Sequence, residues 1–349
     1  MKELRLPKMT ITPDSRVYII AEMSASHAGS LQQALEIVHA AKECGADCIK
    51  IQTYTADTLT LNCHSGDFLI KGGLWDGYCY HDLYQEAMTP WEWQGRIWEE
   101  ARKVGLDFFS TPFDKTAVDF LEEIGVEFYK IAAYELVDIP LIRYVASRGK
   151  PVIMSTGMGT VDEVAEAVSA VRGEGNEQLA LLKCSSLYPA EPKNMNLITI
   201  PDLMNRFDVV AGLSDHTFGS VSAVLGVALG ARIIEKHICL GRSIPNNPDA
   251  GFSMEPEEFK QMVTDVRNAE LAVGKQPYTY AQSEIDSRNS RRSLYISADM
   301  KKGDIFTEHN IRSVRPGFGL HTRYYEEVLG KRVIRDVSLG TPLSWELVE

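Results

Sequence analysis

DVVAGLSDHTFGSVSAVLGVALGARIIEKHIC, residues 208–239, contains two short runs rich in β-branched residues, 208–215 and 232–239, around a helical stretch at 219–229. Strand, helix and strand in that order make the βαβ unit of a parallel sheet. The same rhythm extends upstream. Strands are predicted at 17–23 (VYIIAEM), 48–54 (CIKIQTY), 107–113 (DFFSTPF), 128–134 (FYKIAAY), 151–157 (PVIMSTG) and 179–186 (LALLKCSS). Helices fall between and after them at 31–44, 91–104, 114–124, 140–147, 160–172, 198–206 and 255–273. Eight strand–helix units over about 270 residues predict a (β/α)8 TIM barrel. A doubly wound sheet is the competing architecture, but no G-x-G-x-x-G follows the first strand.

Composition narrows the function classes. The 349 residues are 44% hydrophobic and 24% charged, and Lys+Arg 36 against Asp+Glu 48 leaves a net charge of −12. That balance argues against a general nucleic-acid or anionic-membrane binder, which needs a positive face. No apolar run reaches the length of a membrane span, about 18 residues. The N-terminal MKELRLPKMTITPDS lacks the apolar core of a secretory leader. Six cysteines (Cys44, Cys48, Cys63, Cys79, Cys184, Cys239), none in a C-x-x-C pair, predict neither a disulfide scaffold nor structural zinc. A cytoplasmic enzyme fits best.

Two segments break the rhythm. Residues 55–90, with DFLIKGGLWDGYCYHDLY, form a long insertion after the second strand, read as a lid or binding loop or, alternatively, a subunit contact. Residues 276–290 lack hydrophobic periodicity and read as a linker. The expected organisation is a catalytic barrel over 1–275, that linker, and a small β-rich domain over 291–349 that is marginal alone.

Active sites of such barrels lie at the C-terminal strand ends, and side chains alternate along a strand. Polar residues occupy late positions in nearly every strand: Glu22, Lys50, Gln52, Thr111, Lys130, Ser155, Ser186, Ser214, His216, Glu235 and His237. His216 and His237, ending adjacent strands, suit a divalent transition ion used as a Lewis acid. Asp215 and Glu235 are available to orient them, and Glu22 is a third neighbour of the ion or a general acid–base. Lys50 and Lys130 among hydroxyls suit a small substrate with several negative charges. The competing reading pairs each lysine structurally with Glu22, Glu135 or Glu235.

These residues resemble the sialic-acid-synthase family, which condenses phosphoenolpyruvate with an amino sugar. The similarity runs through IAEMSASHAGS (20–30), AKECGADCIKIQTY (41–54), FFSTPFD (108–114), YKIAAYE (129–135), STGM (155–158), LLKCSSLYPA (181–190), GLSDHT (212–217), EKHICL (235–240) and FSMEPEEFKQMV (252–263). KKGDIFTEHNIRSVRPGFGL (301–320) is similar to the family's antifreeze-like (SAF) domain. Residues 70–93 and 312–331 resemble the branch that makes pseudaminic acid. Where the sialic acid branch reads G-x-N-H-x-G, Ser24 and Ser26 stand in the Gly and Asn places; where it reads G-P-D-H, this chain has Asn247, Pro248, Asp249 and Ala250.

The resemblance implies Mn²⁺ or Mg²⁺ on His216 and His237. It implies phosphoenolpyruvate on Lys50, Gln52, Thr111, Lys130, Ser155, Ser186 and Ser214. Tyr188, Glu135 and Asp249 would lie near the acetamido sugar, with Glu22 close to the reacting carbons. It further implies a domain-swapped homodimer in which Arg315 of one subunit reaches the sugar of the other. The sugar would be 2,4-diacetamido-2,4,6-trideoxy-L-altrose, or alternatively the precursor of N-acetylneuraminate or legionaminate. Two other readings are a pyruvate aldolase with Lys130 as Schiff-base lysine, and a non-catalytic carbohydrate-binding protein.

Overall fold

Eight parallel strands close on themselves around an apolar interior. In the computed structural model, which describes residues 3–274 and 276–349, a hairpin of β1 (Leu4–Arg5) and β2 (Thr10–Ile11) comes first. The barrel follows as β3 (Tyr18–Glu22), β4 (Cys48–Thr53), β5 (Asp107–Pro112), β6 (Tyr129–Ile131), β7 (Val152–Ser155), β8 (Leu179–Cys184), β9 (Val210–Asp215) and β10 (Ile233–His237). Each pairs in parallel with the next, and β10 returns to β3. Residues 1–2 and 275, at the ends of the expected first domain, lie outside the described residues.

Apart from Ala56–Leu59 and Tyr80–Ala87, which lie in the segment read as an insertion, the barrel's helices sit where the sequence periodicity puts them. They are α1 (Leu31–Glu43), α2 (Ala56–Leu59), α3 (Tyr80–Ala87), α4 (Trp91–Val104), α5 (Lys115–Ile124), α6 (Ile139–Ala146), α7 (Val161–Gly173), α8 (Thr199–Phe207), α9 (Val221–Ala228) and α10 (Pro256–Val273). Local chemistry sets several boundaries. The Asp114 carboxylate accepts from the Thr116 and Ala117 amides to start α5, and Gly125 ends it at φ +87°. Thr160 and Glu163 exchange hydrogen bonds at the start of α7.

Alternation along the strands separates two cores. Ile19, Ile49, Ile51, Ile131, Met154, Leu181, Leu213 and Ile234 face the helices. Tyr18, Ile20, Cys48, Phe109, Phe128, Ile153, Leu182, Val210 and Ile233 fill the interior together with Leu4, Leu6 and Ile11 of the hairpin, which plugs the N-terminal end of the barrel. Gly212 is required by this packing: a Cβ there would lie 2.4 Å from the Ile233 carbonyl oxygen. With the interior so filled, a polar site has room only at the C-terminal ends.

The segment 55–90, read from sequence as an insertion, contains the helical turns α2 and α3 joined by exposed chain, with a short 3-10 turn at Gly66–Phe68. Among the described residues no helix is long and apolar enough to cross a membrane.

Residues beyond Gly274 form a separate compact unit. In it, part of the segment read as a linker is helical: α11 (Gln282–Asp286) runs into a 3-10 turn, Ser287–Ser290. β11 (Ser293–Ile296) and β12 (Ile311–Val314) pair antiparallel, with α12 (Tyr325–Val328) after them. Leu294, Ile296, Met300, Phe306, Ile311, Val328, Val333, Leu343 and Leu347 make its small core.

Candidate active site

Strand register brings the late polar residues into one layer. Glu22 stands opposite Lys50 on one side and His237 on the other, Gln52 opposite Thr111, and Glu235 opposite Ser214. Lys50 Nζ lies 2.6 Å from Glu22 Oε2 and 3.4 Å from Glu235 Oε1. Lys130 Nζ lies 3.6 Å from Glu235 Oε1 and donates to Ser155 Oγ at 2.8 Å. Lys50 also reaches Thr111 Oγ1 at 3.4 Å, Ser214 Oγ donates to Glu235 Oε1 at 3.0 Å, and the Gln52 amide donates to Ser24 Oγ at 3.1 Å. The lysines are therefore not free cations. Two ammonium groups share two carboxylates, so the structural pairing weighed against the anion cradle is present together with the hydroxyl ring.

Burial makes this quartet electrostatically sensitive. Glu22 is fully enclosed, and burial, assisted by the charge of Glu235, pushes its carboxyl up to about 7 although Lys50 opposes the shift. Burial would raise Glu235 too, but Lys130 and Lys50 dominate and hold it below the usual carboxylate range. Glu22 is thus the member that can hold or release a proton near neutral pH. Glu22 Oε2 faces the Lys50 ammonium, whereas Glu235 Oε2 is buried without a hydrogen-bond partner among the described residues.

His216 and His237 come together beside the quartet, with ring centres 5.4 Å apart. Burial lowers His216 to about 4 and His237 well below its ordinary value, so both imidazoles are neutral. His216 Nδ1 lies 2.7 Å from the Ser185 carbonyl oxygen, which can only accept; Nε2 therefore keeps its lone pair. His237 Nδ1 is buried without a hydrogen-bond partner, 4.0 Å from Asp249 Oδ2. Two neutral imidazoles with uncommitted nitrogens beside carboxylates fit a divalent transition ion.

One expected contact is corrected. Asp215 does not orient His216. Alternation turns it outward, where its carboxylate meets Lys236 Nζ at 2.8 Å and accepts from the Thr217 hydroxyl and amide. The orienting group is the Ser185 carbonyl. Glu235 likewise is engaged with Ser214 and the two lysines rather than with a histidine.

The loops supply the wall. The Tyr188 ring centre lies 4.2 Å from that of His216, the planes tilted by 36°, and Phe252 lies 4.9 Å from His237 and 5.0 Å from Tyr188. Asp249 is buried and accepts from the Ala25 amide at 3.0 Å, which ties the 247–250 segment to the turn carrying Ser24 and Ser26. Glu135 follows β6 in a 3-10 turn; burial pushes it up to about 7, and its Oε2 is unpartnered. Ser186 sits half-buried, with Met158 Sδ 3.8 Å from its hydroxyl. Arg315 is exposed at the end of β12 in the second unit. Trp75, which the sequence did not single out, lies 6.3 Å from Tyr188 and 6.4 Å from Phe252, and its indole N–H is buried with no partner.

Residues 37–278 match the NeuB family, and residues 291–349 match the SAF domain. The chain is 48% identical over 330 residues to the pseudaminic acid synthase of Campylobacter jejuni, covering 95% of this chain and 96% of that protein. It is 42% identical over 332 residues to the pseudaminic acid synthase of Helicobacter pylori, covering 95% and 97% respectively. Among solved structures, the N-acetylneuraminic acid synthetase of Leptospira borgpetersenii aligns with a TM-score of 0.73 at 31% identity, covering 83% of this chain and 97% of that one.

Proposed function

The chain belongs to the NeuB family, and we propose that it is a transferase condensing phosphoenolpyruvate with 2,4-diacetamido-2,4,6-trideoxy-L-altrose and water, giving pseudaminic acid and phosphate. The observation that carries this reading is the buried Glu22–Lys50–Glu235–Lys130 quartet beside two neutral histidines. The relatives named above support the choice of sugar.

Lys50 and Lys130 bind the phosphate and carboxylate of phosphoenolpyruvate, with Gln52, Thr111, Ser155, Ser186 and Ser214 around them. Tyr188, Glu135 and Asp249 face the sugar. His216 and His237 would hold Mn²⁺ or Mg²⁺, which when bound supplies Lewis-acid polarisation of the aldehyde oxygen. C3 of phosphoenolpyruvate forms the new bond to the aldehyde carbon, water adds at C2, and phosphate leaves by C–O cleavage. Glu22, poised near 7, takes a proton from the attacking water. The lysines neutralise charge gathering on the departing phosphate.

The proposal includes a homodimer in which Arg315 reaches the sugar bound to the other subunit; the small core of the second unit supports a docked role. The six cysteines are all unpaired, which supports a reducing, cytoplasmic setting.

The test is phosphate release from phosphoenolpyruvate and Mn²⁺ with the altrose derivative, the legionaminic precursor and N-acetylmannosamine in parallel. Turnover should be fastest with the altrose derivative. Faster release with either other sugar overturns the assignment of the sugar, and no release with any overturns the reaction.

A further inference from the structure

The insertion after β4 gathers a second set of ligand-type side chains that the proposed reaction leaves unused. We infer that His64, Cys79 and Asp82 form a binding site for a divalent transition ion of the zinc class. One nitrogen, one sulfur and one carboxylate oxygen from these residues all lie within 4.8 Å of one another. Nitrogen, thiolate and carboxylate are the donors that zinc takes, and three of them leave a fourth tetrahedral position for water. With a thiolate and a carboxylate against a neutral imidazole, the set balances a charge of two.

The spacing of His64 and Asp82 supports an ion rather than a hydrogen bond. His64 Nδ1 is 3.4 Å from Asp82 Oδ2, beyond a good hydrogen bond. Two ligands about 2.0–2.1 Å from zinc at tetrahedral angles stand about 3.3 Å apart. His64 Nε2 meets Asn62 Oδ1 at 2.9 Å. That oxygen accepts, so Nε2 carries the hydrogen, and in the neutral ring Nδ1 is left to offer its lone pair to an ion beside the Asp82 carboxylate. An imidazole whose far N–H is fixed by an oxygen is also how protein zinc ligands are usually oriented. His81 completes the surroundings: its Nδ1 is 3.9 Å from Asp82 Oδ1 and its Nε2 is 3.1 Å from Asp57 Oδ1.

The local fold has a use for such an ion. Cys79 precedes α3 and Asp82 lies in its first turn, while His64 comes from the loop before the Leu69–Cys79 bridge. Between residues 61 and 82 the side chain of Cys79 alone is buried, so this stretch has no core of its own. Metal coordination supplies folding free energy where apolar burial does not. The loop it would tie down is the one that carries Trp75 to the aromatic wall.

The experiment uses the full-length reduced protein, stripped with a chelator and titrated with Co²⁺ alone. The expected result is a thiolate-to-cobalt charge-transfer absorption in the near ultraviolet, present in the wild type and in Cys63→Ser and lost in Cys79→Ser. His64→Gln and Asp82→Asn should weaken the cobalt binding that gives this band by roughly tenfold or more. A wild type without the band, or a band of undiminished intensity in Cys79→Ser, overturns the inference. The wild-type spectrum is decisive even where a variant fails to fold, and neither outcome depends on which sugar the barrel takes.

Discussion

Lys50 Nζ lies 2.6 Å from Glu22 Oε2, with both side chains buried at the ends of neighbouring strands. Removing one partner leaves the other buried and unpaired. Lys50→Met should therefore cost about 3–5 kcal/mol of folding stability, the range for breaking a buried pair, and should weaken phosphoenolpyruvate binding. Urea unfolding and phosphoenolpyruvate titration measure the two effects. An unchanged unfolding midpoint would contradict the pair as described.

His216→Ala and His237→Ala should each lower turnover by orders of magnitude, and a chelator should do the same to the wild type. Returning Mn²⁺ restores the wild type and neither variant. Full activity in chelator, with no metal retained by elemental analysis, removes the ion from the mechanism.

Glu135 makes the fold pH-dependent in a definite direction. Burial raises its carboxyl from 4.5 to about 7. Between those values the folded state binds more protons than the unfolded one, so this contribution is full below about pH 4.5 and is lost as pH rises through 7. Glu135→Gln removes the loss. Unfolding of the variant should match the wild type near pH 4 and exceed it by up to about 3 kcal/mol near pH 8; a difference of the opposite sign refutes the assignment.

Trp75→Phe keeps an aromatic ring while deleting the unpartnered indole N–H together with part of the indole. With a net hydrogen bond worth about 1 kcal/mol, the KM for the sugar should rise several-fold, while the KM for phosphoenolpyruvate and the thermal midpoint stay put. An unchanged sugar KM shows that the N–H does not meet the sugar.

Lys130 donates to Ser155 and lies beside Glu235. A Schiff-base aldolase would trap pyruvate on this lysine under borohydride. Mass spectrometry should find no adduct on Lys130, and finding one replaces the condensation with lyase chemistry.

The strand ends were legible because alternation in a barrel leaves few places for an inward polar side chain, so Lys50, Lys130, Ser155, Ser214, His216 and His237 group together from the sequence alone. The same alternation should have turned Asp215 outward; proximity in sequence to His216 masked it. Lys236, its real partner, is one strand away at 2.8 Å. The group that does orient His216 is a backbone carbonyl, which has no residue signature. Trp75, His64, Cys79 and Asp82 stayed unread for another reason. They meet through irregular chain, where no period of two or 3.6 residues fixes which side chains converge. Tyr188 and Asp249 came only from family resemblance, and Glu135 otherwise only as a possible lysine partner, since a loop residue's neighbours follow from the whole loop path.

The hairpin of Leu4, Leu6 and Ile11 has a kinetic corollary. A barrel stoppered at one end is a cul-de-sac: whatever docks at its bottom must arrive before whatever rests above, and departs after it. Enolpyruvate on the strand-end lysines and sugar against the loops would then follow a compulsory order, with the sugar queuing second.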